Sequence, residues 1–147
     1  MTETLKQRIM RHEGLCQKPK YDAKGFYVIG YGHDIPRALV PHFSAGISNS
    51  TAGLMLDADI AKYTAQALKA FPFLPEIQPA IRQEVVIEMV FQLGLHGVLG
   101  FHKMLAALMH DDYATAADEM LDSDWARVQT PARAKELAEI MRTGKPL

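Results

Sequence analysis

The sequence predicts a mainly helical α+β fold with two lobes, in which a long helix connects a small β-hairpin lobe to a helical C-terminal lobe. Three observations support this prediction. One short run near the N-terminus is rich in β-branched and aromatic residues, helical apolar spacing fills most of the remainder, and prolines and glycines separate the segments. With 147 residues, 48% of them hydrophobic, we expect a single domain over residues 1–147.

The first lobe is predicted to comprise residues from about 13–60 together with the N-terminal helix. Thr4 and Gln7 fit a capping box, and Leu5 and Ile9 have helical apolar spacing. Gly14 then supplies a stop signal, so the first helix is expected at about 4–13.

A β-hairpin is expected next. Residues 21–25 carry a turn signal, and residues 26–33 form an aromatic and β-branched run that ends in glycines. This is the only β region that the sequence predicts. Pro36, Pro41 and residues 44–50 predict loop.

The long connecting helix is expected to begin after Ser48 or Ser50 and to continue to about Ala70. The second lobe is predicted at about 72–147, with Pro79 in the first turn of a very apolar helix over 80–93 that Gly94 and Gly97 break. Three shorter helices follow at about 102–110, 112–121 and 131–142. We expect Thr130 to cap the last of these, with Pro131 in its first turn.

Composition and charge exclude several classes of protein. A single cysteine, Cys16, cannot form an internal disulfide or a cysteine-based metal cluster, and the histidines lack metal-ligand spacing, so neither a metal nor a cofactor is expected. The net charge of −1 and the absence of a basic recognition helix argue against nucleic acid as a partner. The charged N-terminus and the lack of a long apolar run predict cytoplasmic synthesis without an export signal and no membrane insertion. A monomer is expected.

Two acidic residues are candidates for catalysis. Helical spacing places Glu13 on the same face as Leu5 and Ile9, and burial beside apolar groups helps a carboxyl group to retain the proton that a general acid needs. Asp22 follows in a polar turn. Carboxyl groups in such different environments suit glycoside hydrolysis. Alternatively, Glu13 frays into solvent and Asp22 only shapes the hairpin.

Segments in both lobes resemble one known family. The segments RHEGL at 11–15, YDAKG at 21–25 and IGYGH at 29–33 resemble the catalytic region of the phage-type lysozymes. The segments MVFQLG at 89–94, GVLGF at 97–101 and WARVQTPARA at 125–134 are similar to that family's other blocks, in the same order. The resemblance therefore covers nearly the whole chain and implies a lysozyme-like fold.

The resemblance implies a muramidase, or lysozyme, which is a glycoside hydrolase of bacterial peptidoglycan. Such enzymes cleave the β-1,4 bond between N-acetylmuramic acid and N-acetylglucosamine, usually with inversion. Glu13 matches the family's general acid, and Asp22 matches the second carboxylate, which assists the attacking water or stabilises the transition state. An endolysin of this kind would accumulate in the cytoplasm and need a holin or another export route to reach the wall.

Other family positions concern substrate binding and structure. Gly30 and Gly32 match glycines beside the sugar, although strand geometry alone also explains them. The resemblance puts Phe91 in the cleft with Gln92 as its neighbour, and Arg133 beside the catalytic glutamate; a core role for Phe91 remains an alternative. His33 and Asp59 match a structural histidine–aspartate pair.

Val28 is the main departure from the family pattern. Family members usually carry a threonine there, whose hydroxyl helps to position the nucleophilic water, and valine cannot form a hydrogen bond. Asp34, Met104 and Glu119 also stand where the family more often has Leu, Ser and Asn. The substitution at Val28 favours, as an alternative function, a catalytically weakened or inactive lysozyme-fold module that binds peptidoglycan or serves as a scaffold.

Overall fold

The computed structural model describes residues 2–22 and 25–147, which form two compact units. One unit comprises Glu3–Lys62, and the other comprises residues 63–147 together with Thr2. The predicted turn residues Ala23 and Lys24 lie outside the described residues. The predicted fold class is confirmed, because a small antiparallel sheet accompanies a largely helical chain.

The smaller unit begins with helix α1, Leu5–Glu13, as the capping box predicts. The Thr4 hydroxyl accepts a hydrogen bond from the Gln7 backbone N–H at 3.1 Å, and the Gln7 side-chain oxygen accepts one from the Thr4 N–H at 2.9 Å. These two bonds satisfy backbone donors that the first helical turn leaves without partners.

Three antiparallel strands follow in the order β1 (Cys16–Tyr21), β2 (Tyr27–Gly30) and β3 (His33–Ile35). The prediction of a single β region was wrong, because β1 was not predicted. Its sequence, CQKPKY, contains a proline and two lysines, which have low β-propensity. An edge strand tolerates both residue types, and β1 lies at an edge of this sheet.

The core of this unit lies between the sheet and two helices. Ile29 of β2 and Ile35 of β3 are buried with Ile9 of α1, Ala52 and Leu56. Helix α2, Asn49–Ala70, supplies the last two side chains and is the predicted long helix. The Ser48 hydroxyl accepts a hydrogen bond from the Thr51 N–H at 3.1 Å, so the cap is Ser48 and not Ser50.

The segment between β3 and α2 is partly helical, in contrast to the predicted loop. A 3₁₀ helix spans Arg37–Phe43, begins after Pro36 and contains Pro41. Short 3₁₀ helices of this kind have neither the length nor the 3.6-residue apolar period that make an α-helix recognisable in a sequence.

The larger unit contains four further α-helices: α3 (Ala80–Leu99), α4 (His102–Met109), α5 (Tyr113–Leu121) and α6 (Pro131–Thr143). A 3₁₀ turn at Leu74–Glu76 precedes α3, and a π-helical turn at Trp125–Gln129 precedes α6. The break expected at Gly94 is confirmed by its non-helical φ of 76° and ψ of 159°, whereas Gly97 continues the helix.

The described part of the chain contains no single helix with the length and hydropathy needed to cross a bilayer. Among the described helices, α3 and α4 pass the test as a pair, with a bend of 101° between them.

Arg82 anchors the C-terminal end of α6. Its guanidinium donates hydrogen bonds to the backbone carbonyl oxygens of Met141 and Arg142 at 2.8 and 3.1 Å, and it lies 3.9 Å from the centre of the Tyr113 ring. Gly144 ends α6 in the left-handed conformation, with φ of 69°. These carbonyl groups would otherwise lack partners at the end of the helix.

Candidate active site

Glu13 is the last residue of α1, and its half-buried side chain lies against the turn between β2 and β3. A Cβ atom added to Gly32 in that turn would lie 3.1 Å from Glu13 Oε2 and 3.4 Å from its Cδ. Gly32 also has a positive φ of 79°, which favours glycine. The absence of a side chain at Gly32 therefore makes room for the Glu13 carboxyl group.

Asp22 follows β1 and shapes the start of the hairpin. Its Oδ1 accepts a hydrogen bond from the backbone N–H of Phe26 at 2.8 Å, and its own N–H donates to the Phe26 carbonyl at 2.7 Å. The turn-shaping role considered for Asp22 is therefore present in the structure. Because this bond uses one oxygen of the carboxylate, it is compatible with a second role for the same side chain.

His33 and Asp59 are in contact, as the resemblance implied. His33 Nδ1 at the start of β3 lies 2.9 Å from Asp59 Oδ2 on α2, where a carboxylate can only accept the proton. The Asp59 side chain is only 13% exposed. The contact joins the turn beside Glu13 to the long helix, and its purely structural role stays a prediction.

Val28 lies in the middle of the sheet, opposite Lys20 of β1 and Asp34 of β3. Gly30, at the end of β2, packs against α2, because a Cβ atom there would lie 3.4 Å from the Cβ of Ala52. This contact agrees with the structural alternative for Gly30. Its contact with a sugar stays a prediction.

The carboxyl group of Asp34 has a shifted pKa. The pKa of its carboxyl group is raised above the usual aspartate value, first by partial desolvation and then by the negative charges of Asp22 and Asp59. His33 and Lys62 act in the opposite direction. The sequence marked Asp34 only as a departure from the family, and the charge cluster arises because β3 brings it near residues distant in sequence.

In the larger unit, Phe91 is half-buried on α3, and its ring meets that of Tyr63 edge to face with centroids 5.5 Å apart. The contact is typical of packed aromatic pairs, so the packing role considered for Phe91 is present. The side chain is not fully buried, and its role in a cleft stays a prediction.

Gln92 connects two segments of the larger unit through its side-chain amide. The amide oxygen accepts a hydrogen bond from Trp125 Nε1 at 2.9 Å, and the amide nitrogen donates to the Thr130 hydroxyl at 3.0 Å. Thr130 occupies the N-cap position of α6 as predicted, but its side chain makes no cap bond and accepts from Gln92 instead. Pro131 does occupy the first turn, as predicted.

Arg133 forms a buried ion pair that the sequence did not predict. Its Nε donates to Glu88 Oε2 at 3.0 Å, and the two side chains are 8% and 0% exposed. Buried charges are generally paired, and Glu88, which has apolar residues on both sides in α3, could have indicated a partner. The expected position of Arg133 beside Glu13 stays a prediction.

The candidate residues thus fall into two groups, one in each unit. The smaller unit contains Glu13, Asp22, Val28, Gly30, Gly32, His33 and Asp59, and the larger unit contains Phe91, Gln92 and Arg133. The divergent residues Met104 and Glu119 line a pocket of about 470 Å³ in the larger unit. Within the described residues, no group of three or more His, Cys, Asp or Glu side chains is arranged to hold a metal ion.

Comparison with known proteins points to one family. A family model described as phage lysozyme matches residues 10–141. The chain is 27% identical to "Probable T4-type lysozyme 1" of Dictyostelium discoideum, with 98% of this chain and 96% of that protein covered. It is 25% identical to "Probable T4-type lysozyme 2" of the same organism, with the same coverage. It is also 26% identical to "Pre-baseplate central spike protein Gp5" of Enterobacteria phage T4, covering 96% of this chain and 28% of that protein.

Proposed function

The chain belongs to the phage lysozyme family, and from that premise we propose that it is a muramidase that hydrolyses peptidoglycan between N-acetylmuramic acid and N-acetylglucosamine. Family membership supports a glycoside hydrolase, and the bond and mechanism are our proposal. The observation that carries the proposal is the contact of the Glu13 carboxyl group with Gly32. That contact fixes one acidic group against a hairpin that also carries Asp22 and Val28.

Glu13 acts as the general acid in this mechanism. It donates its proton to the glycosidic oxygen as the bond to the anomeric carbon breaks, so the leaving sugar departs with a neutral hydroxyl. Gly32 favours the reaction because any larger residue would displace the carboxyl group. The hydrogen bond between His33 and Asp59 holds the same turn from its other side.

Asp22 acts as the second carboxylate. In an inverting hydrolase this group lies on the face of the sugar that water attacks, and its negative charge stabilises the developing oxocarbenium ion. Its hydrogen bond with the Phe26 N–H fixes the direction of the carboxylate. We therefore propose inversion at the anomeric carbon.

An endolysin role follows from the same proposal. The enzyme would accumulate in the host cytoplasm as a monomer and act on the cell wall after a holin or another route releases it.

The alternative function is a lysozyme-fold module that binds the wall or serves as a scaffold without cleaving. Two observations favour it: Val28 lacks the hydroxyl of the family threonine, and a spike protein of phage T4 contains a similar segment that covers 28% of its length. Retention of both Glu13 and Asp22 favours the enzyme.

Digestion of purified peptidoglycan distinguishes these functions. The native chain should release muropeptides with N-acetylmuramic acid at the new reducing end, identified by mass spectrometry, and NMR of the first products should show the α anomer. Glu13→Gln should release none. Binding of peptidoglycan by the native chain without cleavage would support the scaffold alternative.

A further inference from the structure

The position opposite Val28 carries a group that can replace the missing hydroxyl. We infer that Asp34 is a further catalytic residue, whose carboxylate orients the nucleophilic water and accepts a proton from it. The inference rests on the proposed muramidase function. It assigns to Asp34 a part of the reaction that the family pattern would place on a threonine at residue 28.

Strand register places the two side chains together. Val28 of β2 and Asp34 of β3 are direct partners, between the pairs Tyr27–Ile35 and Ile29–His33. Residues directly opposite in antiparallel strands project from the same face, with Cβ atoms about 4.5–5.5 Å apart. The carboxylate of Asp34 therefore extends beside the methyl groups of Val28.

Burial shows which face this is. Ile29 and Ile35 are buried in the core of the unit, and their side chains alternate with those of Val28 and Asp34 along the two strands. Val28 and Asp34 thus project from the face opposite this core. A water molecule can reach this face, whereas it cannot reach the core side.

The carboxylate of Asp34 is available for a water molecule. In the part of the chain that the structure describes, Asp34 forms no ion pair or side-chain hydrogen bond. Its oxygen atoms can therefore accept hydrogen bonds from water, as a base must do before it takes a proton.

Charges around Asp34 favour a role as a base. Partial desolvation and the nearby anions raise the pKa of Asp34, and a carboxylate with a raised pKa is a stronger proton acceptor. The effect of Asp22 on Asp34 also indicates that both carboxylates lie in one electrostatic environment. The charged and titratable groups around Asp34 are Asp22 after β1, His33 on β3, Asp59 and Lys62 on α2, and Lys20 across Val28 on β1.

The reaction step balances with these groups. The water oxygen attacks the anomeric carbon, and the bond to the leaving oxygen breaks with its electron pair on that oxygen. Glu13 supplies the proton that the leaving oxygen takes up. The water transfers one proton to Asp34 and keeps the other in the new hydroxyl group. Asp34 then releases its proton to solvent and Glu13 is reprotonated, so the enzyme returns to its starting state.

A set of four variants tests the inference: Asp34→Asn, Val28→Thr, the two combined, and Asp57→Asn as a matched control. Asp57 lies on α2 in an ion pair with Lys6 at 2.8 Å and has no part in the mechanism. Asp34→Asn should lower kcat on peptidoglycan by about tenfold or more and change KM little, because it removes a base but leaves the shape of the site. Asp57→Asn should leave both parameters unchanged.

Rescue by threonine is the decisive readout. In the Asp34→Asn background, Val28→Thr should restore most of the lost kcat, and its effect on kcat there should exceed its effect in the native background. The inference is overturned if Asp34→Asn retains the native kcat, if its loss lies in KM alone, or if threonine changes kcat equally in both backgrounds. A native chain that does not cleave peptidoglycan would instead refute the proposed function, and the inference with it.

The pH profile gives an independent test that a structural role would not affect. If Asp34 must be ionised, the acidic limb of kcat/KM reports its raised pKa, and the limb should move to lower pH in Asp34→Asn. Thermal melts establish that each variant is folded. If the acidic limb of kcat/KM lies at the same pH in folded Asp34→Asn as in the native chain, the inference is contradicted.

Discussion

Gly32 shows how one missing side chain shapes the candidate site. Gly32→Ala would introduce a Cβ atom 3.1 Å from Glu13 Oε2 and force a residue with a side chain to adopt φ of 79°. We expect a loss of about 1–2 kcal/mol in the free energy of unfolding, together with a fall in kcat of about tenfold. Chemical denaturation and muropeptide release measure the two effects.

Gly53→Ala is the control, because Gly53 lies within α2 and, apart from the helix's own backbone, the nearest described atom to the added one is Lys6 Nζ, at 3.8 Å. Alanine favours helix over glycine, so this change should stabilise the chain or leave it unaffected. Equal activity in Gly32→Ala and the native chain would contradict the role given to this contact.

Asp34 should reduce stability at neutral pH. Its pKa is raised in the folded chain, so the folded state favours the neutral carboxyl group. The resulting contribution to the free energy of unfolding is present at low pH and is lost as the pH rises through the folded-state pKa. Asparagine stays neutral throughout. Asp34→Asn should therefore have a higher Tm than the native chain near neutral pH, and the difference should vanish in acid. A difference that does not depend on pH would contradict this prediction.

The contact between His33 and Asp59 should contribute to stability. His33→Ala leaves a largely buried carboxylate without its 2.9 Å partner, at a cost of about 1–2 kcal/mol. For a chain of this size that cost lowers the Tm by a few degrees. Calorimetry measures the shift, and His42→Ala, at an exposed residue of the 3₁₀ helix, is the control. Equal melting of the two variants would refute the structural role.

Some residues of the candidate site could be predicted from sequence and others could not. Glu13 and Asp22 were accessible because helical spacing and turn chemistry are local. The contact of Glu13 with Gly32, and the position of Asp34 across from Val28, depend on strand register. The burial of Arg8 and the pairing of Glu88 with Arg133 depend on tertiary packing, which cannot be inferred from the sequence alone.

At the level of elements, the long α-helices were predictable because their apolar period and caps are in the sequence. Strand β1 was not, because its stability comes from pairing with β2 and not from its own residues. The 3₁₀ helix at Arg37–Phe43 and the π-helical turn at Trp125–Gln129 are too short to show a period. These irregular elements lie between the regular ones and connect them.

The end of α6 offers a test at this scale. Gly144→Ala would place an atom 2.9 Å from the Pro79 ring and 3.0 Å from the Arg82 guanidinium carbon, at a residue with φ of 69°. We expect a loss of about 2 kcal/mol or more, because strain and overlap act together. Urea denaturation measures it.

The size of the loss shows whether the contact contributes. A loss of only about 1 kcal/mol in Gly144→Ala, which left-handed backbone strain alone explains, would contradict the contribution of the contact with Pro79 and Arg82.

At the level of the whole molecule, the chain consists of two units, and each contains part of the residue set that the family resemblance implies. The α+β class followed from composition and periodicity, and the family match over residues 10–141 agrees with it. Activity could not be predicted from the fold, because a single fold can serve catalysis or scaffolding. Val28 lacks the hydroxyl group of the family threonine, and we propose that the Asp34 carboxylate takes over its role in catalysis.

The loss of activity in Glu13→Gln tests the central claim most directly. Purified peptidoglycan is incubated with the native chain, with Glu13→Gln and with Glu139→Gln, a control at an exposed residue of α6, and the new reducing ends are counted. The native chain and the control should cleave at the same rate, while Glu13→Gln should lose at least about a hundredfold because its amide cannot donate the required proton. Cleavage by Glu13→Gln at the native rate would contradict the account.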